Sequence, residues 1–303
     1  MIYTLTLNPS IDYIISLNSV ELGKVNRCTK TFKFPGGKGI NVSRVLKNSG
    51  TDSVALGFVG GFTGEFINLT LNNLGIHTDF IKVKEDSRIN VKIKSVDETD
   101  INADGPYIEK EALNLLLDKL NKLKDDDILV LAGKIQSSLP NNLYSKIQEI
   151  VNKNNVKVVV DTSGKALLES VKKKPFLIKP NNFEIEEAFN IKIKDKNELI
   201  DYGKKLNTMG SENVIISLAG DGALLINNSG VFFGNAPKGE VKNSVGAGDS
   251  LVAGFLHEYS KSKNILDSFK RGIATGSASA FSLDLCDNNF VLELLPQIKL
   301  KKL

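Results

Sequence analysis

The sequence has few of the residues on which several common catalytic and structural devices depend. It contains two cysteines, Cys28 and Cys286, with no CxxC spacing, which argues against a disulfide framework and a cysteine-based zinc site. It also contains only two histidines, His77 and His257, and neither lies in a context that suggests a Ser-His-Asp or Cys-His device. We interpret both histidines as structural and expect acid–base chemistry from a carboxylate.

Long apolar runs and strong charge asymmetry are missing as well. No apolar stretch reaches the ~18 residues that a membrane span requires, and residues 1–7 have the pattern of a strand, not of a signal peptide. The 39 basic and 35 acidic residues give a net charge of +4, and no run of like charges marks a nucleic-acid-binding tail. This weak excess of positive charge suits a small anionic substrate, but a net charge of this size can equally have no functional role. We expect a protein of the reducing cytoplasm, with neither nucleic acid nor membrane as a partner.

Two familiar nucleotide-binding motifs are absent. None of the Gly-Lys pairs is followed by Ser or Thr, as a Walker A loop requires. No G-x-G-x-x-G follows the first apolar run, so the dinucleotide-binding fingerprint is also missing.

Apolar runs of strand length alternate with amphipathic stretches of helix length through most of the sequence. Continuous apolar strands separated by helices are typical of a parallel sheet covered on both faces. We therefore predict an α/β fold with a parallel-sheet core. The predicted strands after residues 1–7 are 53–59, 127–132, 156–160, 176–178, 213–218 and 223–226. The predicted helices are 39–49, 65–74, 110–123, 143–152, 184–189, 197–209, 251–259 and 265–281.

Two segments in the first third of the sequence break this alternation. In residues 12–34, short strand-like pieces follow one another without a helix, and in residues 87–96 apolar and polar residues alternate, as in a half-exposed antiparallel strand. We interpret the strands within about 12–34 and 87–105 as a small sheet, a lid, projecting from a single domain of residues 1–303. An extension of the main sheet edge is the alternative. An exposed apolar face on such a sheet would favour dimerisation.

The first chemically informative segment is Asn-Ser-Val-Gly-Ala-Gly-Asp-Ser at residues 243–250. Its glycines permit a tight turn directly before a predicted helix, and the free N–H groups of a helix N-terminus attract phosphate. Asp249 lies in the first turn. It could cap the helix or accept a proton from an attacking hydroxyl, and this segment alone does not decide between the two.

A second segment, Phe-Pro-Gly-Gly-Lys-Gly-Ile-Asn-Val-Ser at residues 34–43, also places glycines before a helix. Lys38 and Asn41 within it are suited to bind phosphate and sugar hydroxyls.

A third segment, Lys-Pro-Asn-Asn-Phe-Glu, covers residues 179–184. Asn181 and Glu184 share one face at the start of a helix, where they could hold a hydrated Mg²⁺. The alternative is a capping box, in which the two residues only complete the helix N-terminus.

A fourth segment, Ser-Leu-Ala-Gly-Asp-Gly-Ala at residues 217–223, joins two predicted strands. By itself it predicts a β-hairpin turn. Beside a nucleotide site its glycines would also allow close approach of phosphate or ribose.

These four segments occur in this order in the PfkB-type (ribokinase-like) carbohydrate kinases, and the chain resembles that family over essentially its whole length. Residues 7–12, 36–42, 88–92 and 98–106 resemble the bacterial branch that acts on ketohexose monophosphates. The resemblance implies a Rossmann-like core with helices on both faces and a β-sheet lid, which often pairs with a second lid in a homodimer. It also implies ATP and Mg²⁺ and the transfer of the γ-phosphate to a ketohexose monophosphate. We expect fructose 1-phosphate, converted to fructose 1,6-bisphosphate, with tagatose 6-phosphate and fructose 6-phosphate as the alternatives.

The resemblance further implies roles for individual residues. Asp249 matches the catalytic base, with an anion hole formed by Gly246, Ala247 and Gly248. The sugar-phosphate site matches Asp12, Gly37, Lys38, Asn41, Arg88 and Asn90, and Arg27 is a further candidate for the second phosphate. The nucleotide region matches Lys179, Asn181, Ser217, Gly220 and Gly222, and Glu184 matches the Mg²⁺ region.

One departure from the family pattern concerns the substrate. The family usually has a Gly-Ser pair followed by Leu-Pro after the strand that ends near Ala132, and the serine helps to bind substrate. Here the pair is Gly133-Lys134, and Leu139-Pro140 is displaced. Lys134 either supplies a positive charge in place of the serine or points to solvent.

Two other functional classes compete with a kinase. A sugar-phosphate-binding regulator without catalysis would not need the intact Gly-Ala-Gly-Asp and Asn-x-x-Glu segments. A nicotinamide-dependent oxidoreductase on a similar sheet would be expected to carry the dinucleotide fingerprint. Both observations favour the kinase.

Overall fold

A computed structural model describes all residues from Met1 to Leu303. The strands are β1 (Ile2–Thr6), β2 (Ser10–Ser16), β3 (Lys30–Gly36), β4 (Ser53–Gly60), β5 (His77–Thr78), β6 (Ile81–Val83), β7 (Arg88–Lys94), β8 (Glu98–Asn102), β9 (Ile128–Ala132), β10 (Lys157–Asp161), β11 (Leu177–Ile178), β12 (Asn213–Ser217), β13 (Ala223–Asn227), β14 (Gly230–Gly234) and β15 (Leu300–Lys302). The helices are α1 (Lys38–Asn48), α2 (Gly61–Asn73), α3 (Lys110–Leu120), α4 (Leu143–Val151), α5 (Gly164–Val171), α6 (Asn182–Phe189), α7 (Lys196–Met209), α8 (Ala247–Ser262), α9 (Ile265–Ala280) and α10 (Asn288–Leu294).

The main sheet has 11 strands in the order β15-β14-β13-β12-β11-β10-β9-β1-β4-β5, with β6 also paired to β4. The strands from β12 to β5 are parallel, and β13, β14 and β15 complete one edge in antiparallel fashion. The predicted parallel core is therefore confirmed. The predicted hairpin at residues 217–223 is also confirmed, because β12 and β13 pair antiparallel across it.

The central strands are apolar on both faces because helices cover both. In β9, Leu129 and Leu131 belong to the core beneath α3 and α4, whereas Ile128 and Val130 belong to the core beneath α1, α8 and α9. Successive side chains of a strand point to opposite faces, so a strand buried on both sides needs a continuous apolar run. That run is the sequence pattern from which these strands were predicted.

A second sheet of four strands, in the order β3-β2-β7-β8, stands apart from the main one. Strands β2 and β7 run parallel, with Ser10 opposite Arg88 and Asp12 opposite Asn90. Because side chains alternate between the two faces, these four side chains share the face that borders the cavity described below. The small sheet predicted from the broken alternation is confirmed.

The longest helices, α8 and α9, have 16 residues each. No helix combines the length and the apolar character that crossing a membrane would require.

Candidate active site

The chemically informative residues meet at the carboxyl ends of the parallel strands. Asp161 ends β10, Ser217 ends β12, and Lys179 follows β11, which is the edge where open α/β sheets bind their ligands. A cavity of about 460 Å³ opens there, between the main sheet, the start of α8 and the small sheet. Its lining consists of Ser10, Asp12, Gly37, Lys38, Asn41, Arg88, Asn90, Asp161, Lys179, Asn181, Glu184, Ser217, Val245, Gly246, Gly248 and Asp249.

Asp249 lies inside the first turn of α8, not at its cap. The N-cap is Gly246, whose φ of 80° is in the left-handed region that favours glycine, and no side chain caps this helix. The interpretation of Asp249 as a helix cap is therefore wrong. Its Oδ2 instead accepts a hydrogen bond of 2.8 Å from Nδ2 of Asn41. The predicted helix from residue 251 begins earlier, at Ala247, because Ala247 and Gly248 already belong to its first turn.

The surroundings of Asp249 raise the pKa of its carboxyl group, which makes the carboxylate a stronger base. Its side chain is buried, and this burial, together with the negative charge of Asp161, raises its pKa to about 6. The ammonium groups of Lys38 and Lys179 and the Asn41 hydrogen bond partly oppose the rise. A carboxylate with such a pKa is ionised at neutral pH and takes up a proton more readily than an exposed one.

The floor of the cavity is an ionic cluster around Asp161, a residue that our sequence reasoning missed. Its Oδ1 lies 3.1 Å from Nζ of Lys38 and 3.3 Å from Nζ of Lys179, while its buried Oδ2 has no partner. Burial would raise the pKa of Asp161, but the two ammonium groups outweigh burial and lower it. The one available signal was an acidic residue directly after a buried strand, at the edge where sites form.

Lys38 is held by carboxylates on two sides. Besides Asp161, Glu184 approaches it, with Oε1 3.4 Å from Nζ. Burial alone would lower the pKa of Lys38, but the surrounding carboxylates raise it well above its ordinary value. Lys38, which the family resemblance assigns to the sugar-phosphate site, lines the cavity, and its ammonium group pairs with the Asp161 and Glu184 carboxylates.

The small sheet supplies a second group of polar side chains. Oδ1 of Asp12 accepts hydrogen bonds from Oγ of Ser10 at 2.8 Å and from Nδ2 of Asn90 at 3.1 Å. Oδ2 of Asp12 lies 3.7 Å from Nζ of the buried Lys92. Arg88 donates to the backbone carbonyls of Asn8 and Ala103. Ser10 and Lys92 were not among the predicted site residues, although Lys92 lies two positions beyond Asn90 on the same face.

Asn181 and Glu184 form the capping box that was the alternative to metal binding. Oδ1 of Asn181 accepts from N–H of Glu184 at 2.8 Å, and Oε2 of Glu184 accepts from N–H of Asn181 at 2.9 Å. Both residues also line the cavity. The cap fixes the orientation of the Glu184 carboxylate, and it leaves Oε1 directed toward Lys38.

Some predicted site residues lie outside this cavity. Gly220 and Gly222 belong to the β12–β13 turn and are absent from its lining. A Cβ on Gly222 would lie 2.0 Å from the carbonyl oxygen of Gly234, so the hairpin itself requires glycine there. Ala247 is also absent from the lining, and its N–H donates to the carbonyl of Ser244 at 3.3 Å. Arg27 lies on an exposed loop between β2 and β3.

The matching family model is described as pfkB family carbohydrate kinase and covers residues 5–289. The chain belongs to this family. The resemblance inferred from the four segments is thus confirmed, and the protein is a kinase of the PfkB family.

Individual relatives agree with this assignment. The chain is 51% identical to the 1-phosphofructokinase of Bacillus subtilis (strain 168) over 303 residues, which cover 100% of both chains. It is 36% identical to a tagatose-6-phosphate kinase of Staphylococcus epidermidis, over 84% of each chain. Among solved structures, phosphofructokinase-2 of Escherichia coli superimposes with a TM-score of 0.93 and covers 98% of both chains. At 24% identity, that likeness shows the PfkB fold alone.

Proposed function

We propose that this PfkB-family kinase transfers the γ-phosphate of ATP to a hydroxyl of fructose 1-phosphate, forming fructose 1,6-bisphosphate. The observation that carries the proposal is the buried Asp249 carboxylate with a pKa of about 6, at the N-terminus of α8. The full-length relationship to a 1-phosphofructokinase supports the choice of sugar.

In the proposed reaction, Asp249 positions the acceptor hydroxyl and removes its proton. The hydroxyl oxygen then bonds to the γ-phosphorus as the bond to the ADP oxygen breaks. Phosphoryl transfer asks a protein chiefly for positioning and for stabilisation of charge. N–H groups at the start of α8, including that of Gly248, and the positive end of the helix dipole supply that stabilisation. The ammonium group of Lys179, 3.3 Å from Oδ1 of Asp161, lies where it can also attract nucleotide phosphate.

A hydrated Mg²⁺ fits the oxygen groups present. Mg²⁺ is usually held by one or two carboxylates, several waters and substrate phosphates. The unpartnered Oδ2 of Asp161 and the carboxylate of Glu184 would hold it, and no cluster of three acidic or histidine ligands exists. The ion would reduce the charge of the nucleotide phosphates. The protein's own charged groups beside this position are the Asp161 carboxylate and the ammonium groups of Lys38 and Lys179.

The identity of the sugar is tested by assaying ADP release with four acceptors side by side. Relatives named tagatose-6-phosphate kinase and D-tagatose-1-phosphate kinase make these sugars the second candidates. We expect the highest kcat/KM with fructose 1-phosphate, and lower values with tagatose 6-phosphate, tagatose 1-phosphate and fructose 6-phosphate. A higher kcat/KM with either tagatose phosphate would contradict the choice of sugar but not the kinase.

Arg88→Ala is expected to raise the KM for fructose 1-phosphate about 10-fold or more, with little change in kcat, because a charge-assisted contact to the bound phosphate is lost. The guanidinium group borders the cavity and makes no ion pair within the protein. Initial rates at varied sugar and varied ATP check this, and the KM for ATP serves as the internal control. An unchanged sugar KM would remove Arg88 from the phosphate site.

We further propose that two copies pair through the outer face of the small sheet. Ile89 and Ile101 are exposed on neighbouring strands, opposite the face that borders the cavity. Such exposed apolar side chains on a sheet favour association. Light scattering is expected to give about twice the chain mass of 33.0 kDa. A value equal to the single-chain mass at micromolar concentration would contradict the pairing.

A further inference from the structure

The loop between α9 and α10, residues 281–287, lies against the N-terminus of α8. Its Leu285 packs so closely on Gly246, the N-cap of α8, that a Cβ added to the glycine would lie 2.9 Å from Cδ2 of the leucine. Nδ2 of Asn243 also donates to the carbonyl of Leu283 at 3.2 Å. The α9–α10 loop therefore supports the turn whose N–H groups are proposed to stabilise the transferred phosphoryl group.

Two side chains of α1 hold this loop in place. Nη2 of Arg44 donates to Oδ2 of Asp284, and Nδ2 of Asn48 donates to the carbonyl of Cys286 at 2.9 Å. The two donors lie four positions apart, so they share one face of the helix. The α9–α10 loop is therefore attached to α1 by one ion pair and one hydrogen bond.

The same face of α1 also holds the proposed base. Asn41 lies three positions before Arg44, so its side chain projects from the same face, and its Nδ2 donates to Oδ2 of Asp249 at 2.8 Å. Helix α1 thus contacts the base directly, and it contacts the Gly246 turn through Arg44 and the α9–α10 loop. The position of the base relative to that turn depends on both contacts.

Arg44 also contacts the small sheet. Its guanidinium carbon lies 5.5 Å from the ring centroid of Phe34 in β3, within the range of a cation–π contact. Phe34 lies opposite Asp12 in the pairing of β2 with β3, and both residues line a cleft that also includes Arg44 and Asp284. This cleft measures about 30 Å³, which is room for one or two water molecules, so it is a contact between elements and not a ligand site.

The positive charge of Arg44 has one partner. Asp284 is the only carboxylate within ion-pair distance of the guanidinium group, and the Arg44 side chain is only 11% exposed. A cation so far removed from water is strongly destabilised when its carboxylate is lost. Arg44 and Asp284 therefore constrain each other, and neither side chain is expected to keep its position without the other.

We propose that Arg44 is a positioning residue for phosphoryl transfer. Through Asp284 it holds the α9–α10 loop against Gly246, and through Phe34 it connects that arrangement to the small sheet. The inference rests on the proposed function, namely on phosphoryl transfer at the N-terminus of α8, and not on which sugar accepts the phosphate. Arg44 does not border the active-site cavity, so its loss is expected to change the geometry of the reacting groups and not the binding of either substrate.

The test compares Arg44→Ala and Asp284→Asn in steady-state kinetics at varied ATP and varied sugar, with the best of the four acceptors. We expect each substitution to lower kcat about 10-fold, because small displacements of reacting groups slow a reaction steeply, while both KM values stay within about twofold. The double variant should be no slower than the slower single variant, since both changes break the same contact. Arg44→Lys keeps the charge and should recover part of the lost kcat.

Lys47→Ala is the matched control, because Lys47 forms an ion pair with Asp52 from the same helix and borders neither the active-site cavity nor the cleft. Thermal unfolding shows which variants are folded at the assay temperature, and Asp284→Asn, the milder change, decides alone if Arg44→Ala does not fold. A kcat within about twofold of the unmodified value, together with a lower Tm, would overturn the inference, because the ion pair would then only stabilise the fold. A loss confined to KM, or an equal loss in Lys47→Ala, would overturn it as well.

The outcome for Asp249→Asn separates this inference from the proposed function. If Asp249→Asn turns over at the unmodified rate while Arg44→Ala and Asp284→Asn lose kcat, the assignment of the base fails and the inference stands. If Asp249→Asn is slow while Arg44→Ala and Asp284→Asn keep their kcat, the proposed function stands and the inference is overturned.

Discussion

Replacing Asp249 by asparagine is expected to lower kcat by about 100-fold or more, because the acceptor hydroxyl loses the group that takes its proton. The substitution preserves shape, and the Asn41 amide can still donate to the new side chain. Binding of ATP should therefore be retained, which a direct titration of nucleotide measures. Glu258→Gln, the same chemical change on the same helix α8 outside the cavity, should leave kcat nearly unchanged. Turnover close to the unmodified rate in Asp249→Asn would refute the assignment of the base.

The same substitution is expected to stabilise the fold. Folding raises the pKa of Asp249 from an ordinary value of 3.8 to about 6. Between these pH values the native state holds more protons than the unfolded state, so this group lowers stability as pH rises and its full cost is present above about pH 6. The shift corresponds to about 3 kcal/mol as an order of magnitude. Denaturant unfolding of Asp249→Asn should show higher stability at pH 7, and the difference should vanish near pH 4. A less stable variant at pH 7 would contradict the burial of an ionised base.

Asp161→Ala is expected to destabilise the protein by about 3 kcal/mol or more, because it removes the only carboxylate that pairs with the buried Lys179 and one of the two that pair with Lys38. Lys179 is only 4% exposed. Activity should fall in parallel, since Lys38 and Lys179 would no longer be held beside Asp249.

The matched control for Asp161 is a surface ion pair. Asp52 lies 3.0 Å from Lys47, and its side chain is 61% exposed, so Asp52→Ala should change stability by no more than about 0.5 kcal/mol. Urea unfolding at one pH measures both variants. Equal and small losses in the two would show that the buried cluster does not hold the site together.

The sequence predicts the segments of the site better than the contacts between them. The Gly-Ala-Gly-Asp turn at residues 246–249 and the capping box at Asn181 and Glu184 are local, since their geometry depends on neighbours a few positions away. The contact between Lys38 and Asp161 spans 123 positions. This contact depends on the strand order of the sheet, in which β9 lies between β1 and β10. Local hydrophobic periodicity predicts individual strands but not their order.

The same reason explains which residues and contacts of the site the sequence did not predict. Asp161 is one acidic residue after a run of valines, and nothing in its segment marks it as the partner of two lysines. Lys38 was assigned to the sugar-phosphate site from its motif, and its ion pairs with Asp161 and Glu184 could not be predicted because they form only in the folded chain. Gly222 was assigned to the nucleotide site. The folded hairpin brings the backbone of Gly234 so close to Gly222 that only glycine fits there, and this contact cannot be read from the local sequence.

The central claim, that Asp249 serves a kinase whose acceptor is a phosphorylated ketohexose, is tested most directly by ³¹P NMR of the protein with ATP, Mg²⁺ and fructose 1-phosphate. We predict a second sugar-phosphate resonance that grows in step with ADP in the unmodified protein and is about 100-fold slower to appear with Asp249→Asn. Formation of ADP with inorganic phosphate alone, or the same rate of product formation in both proteins, would contradict the account.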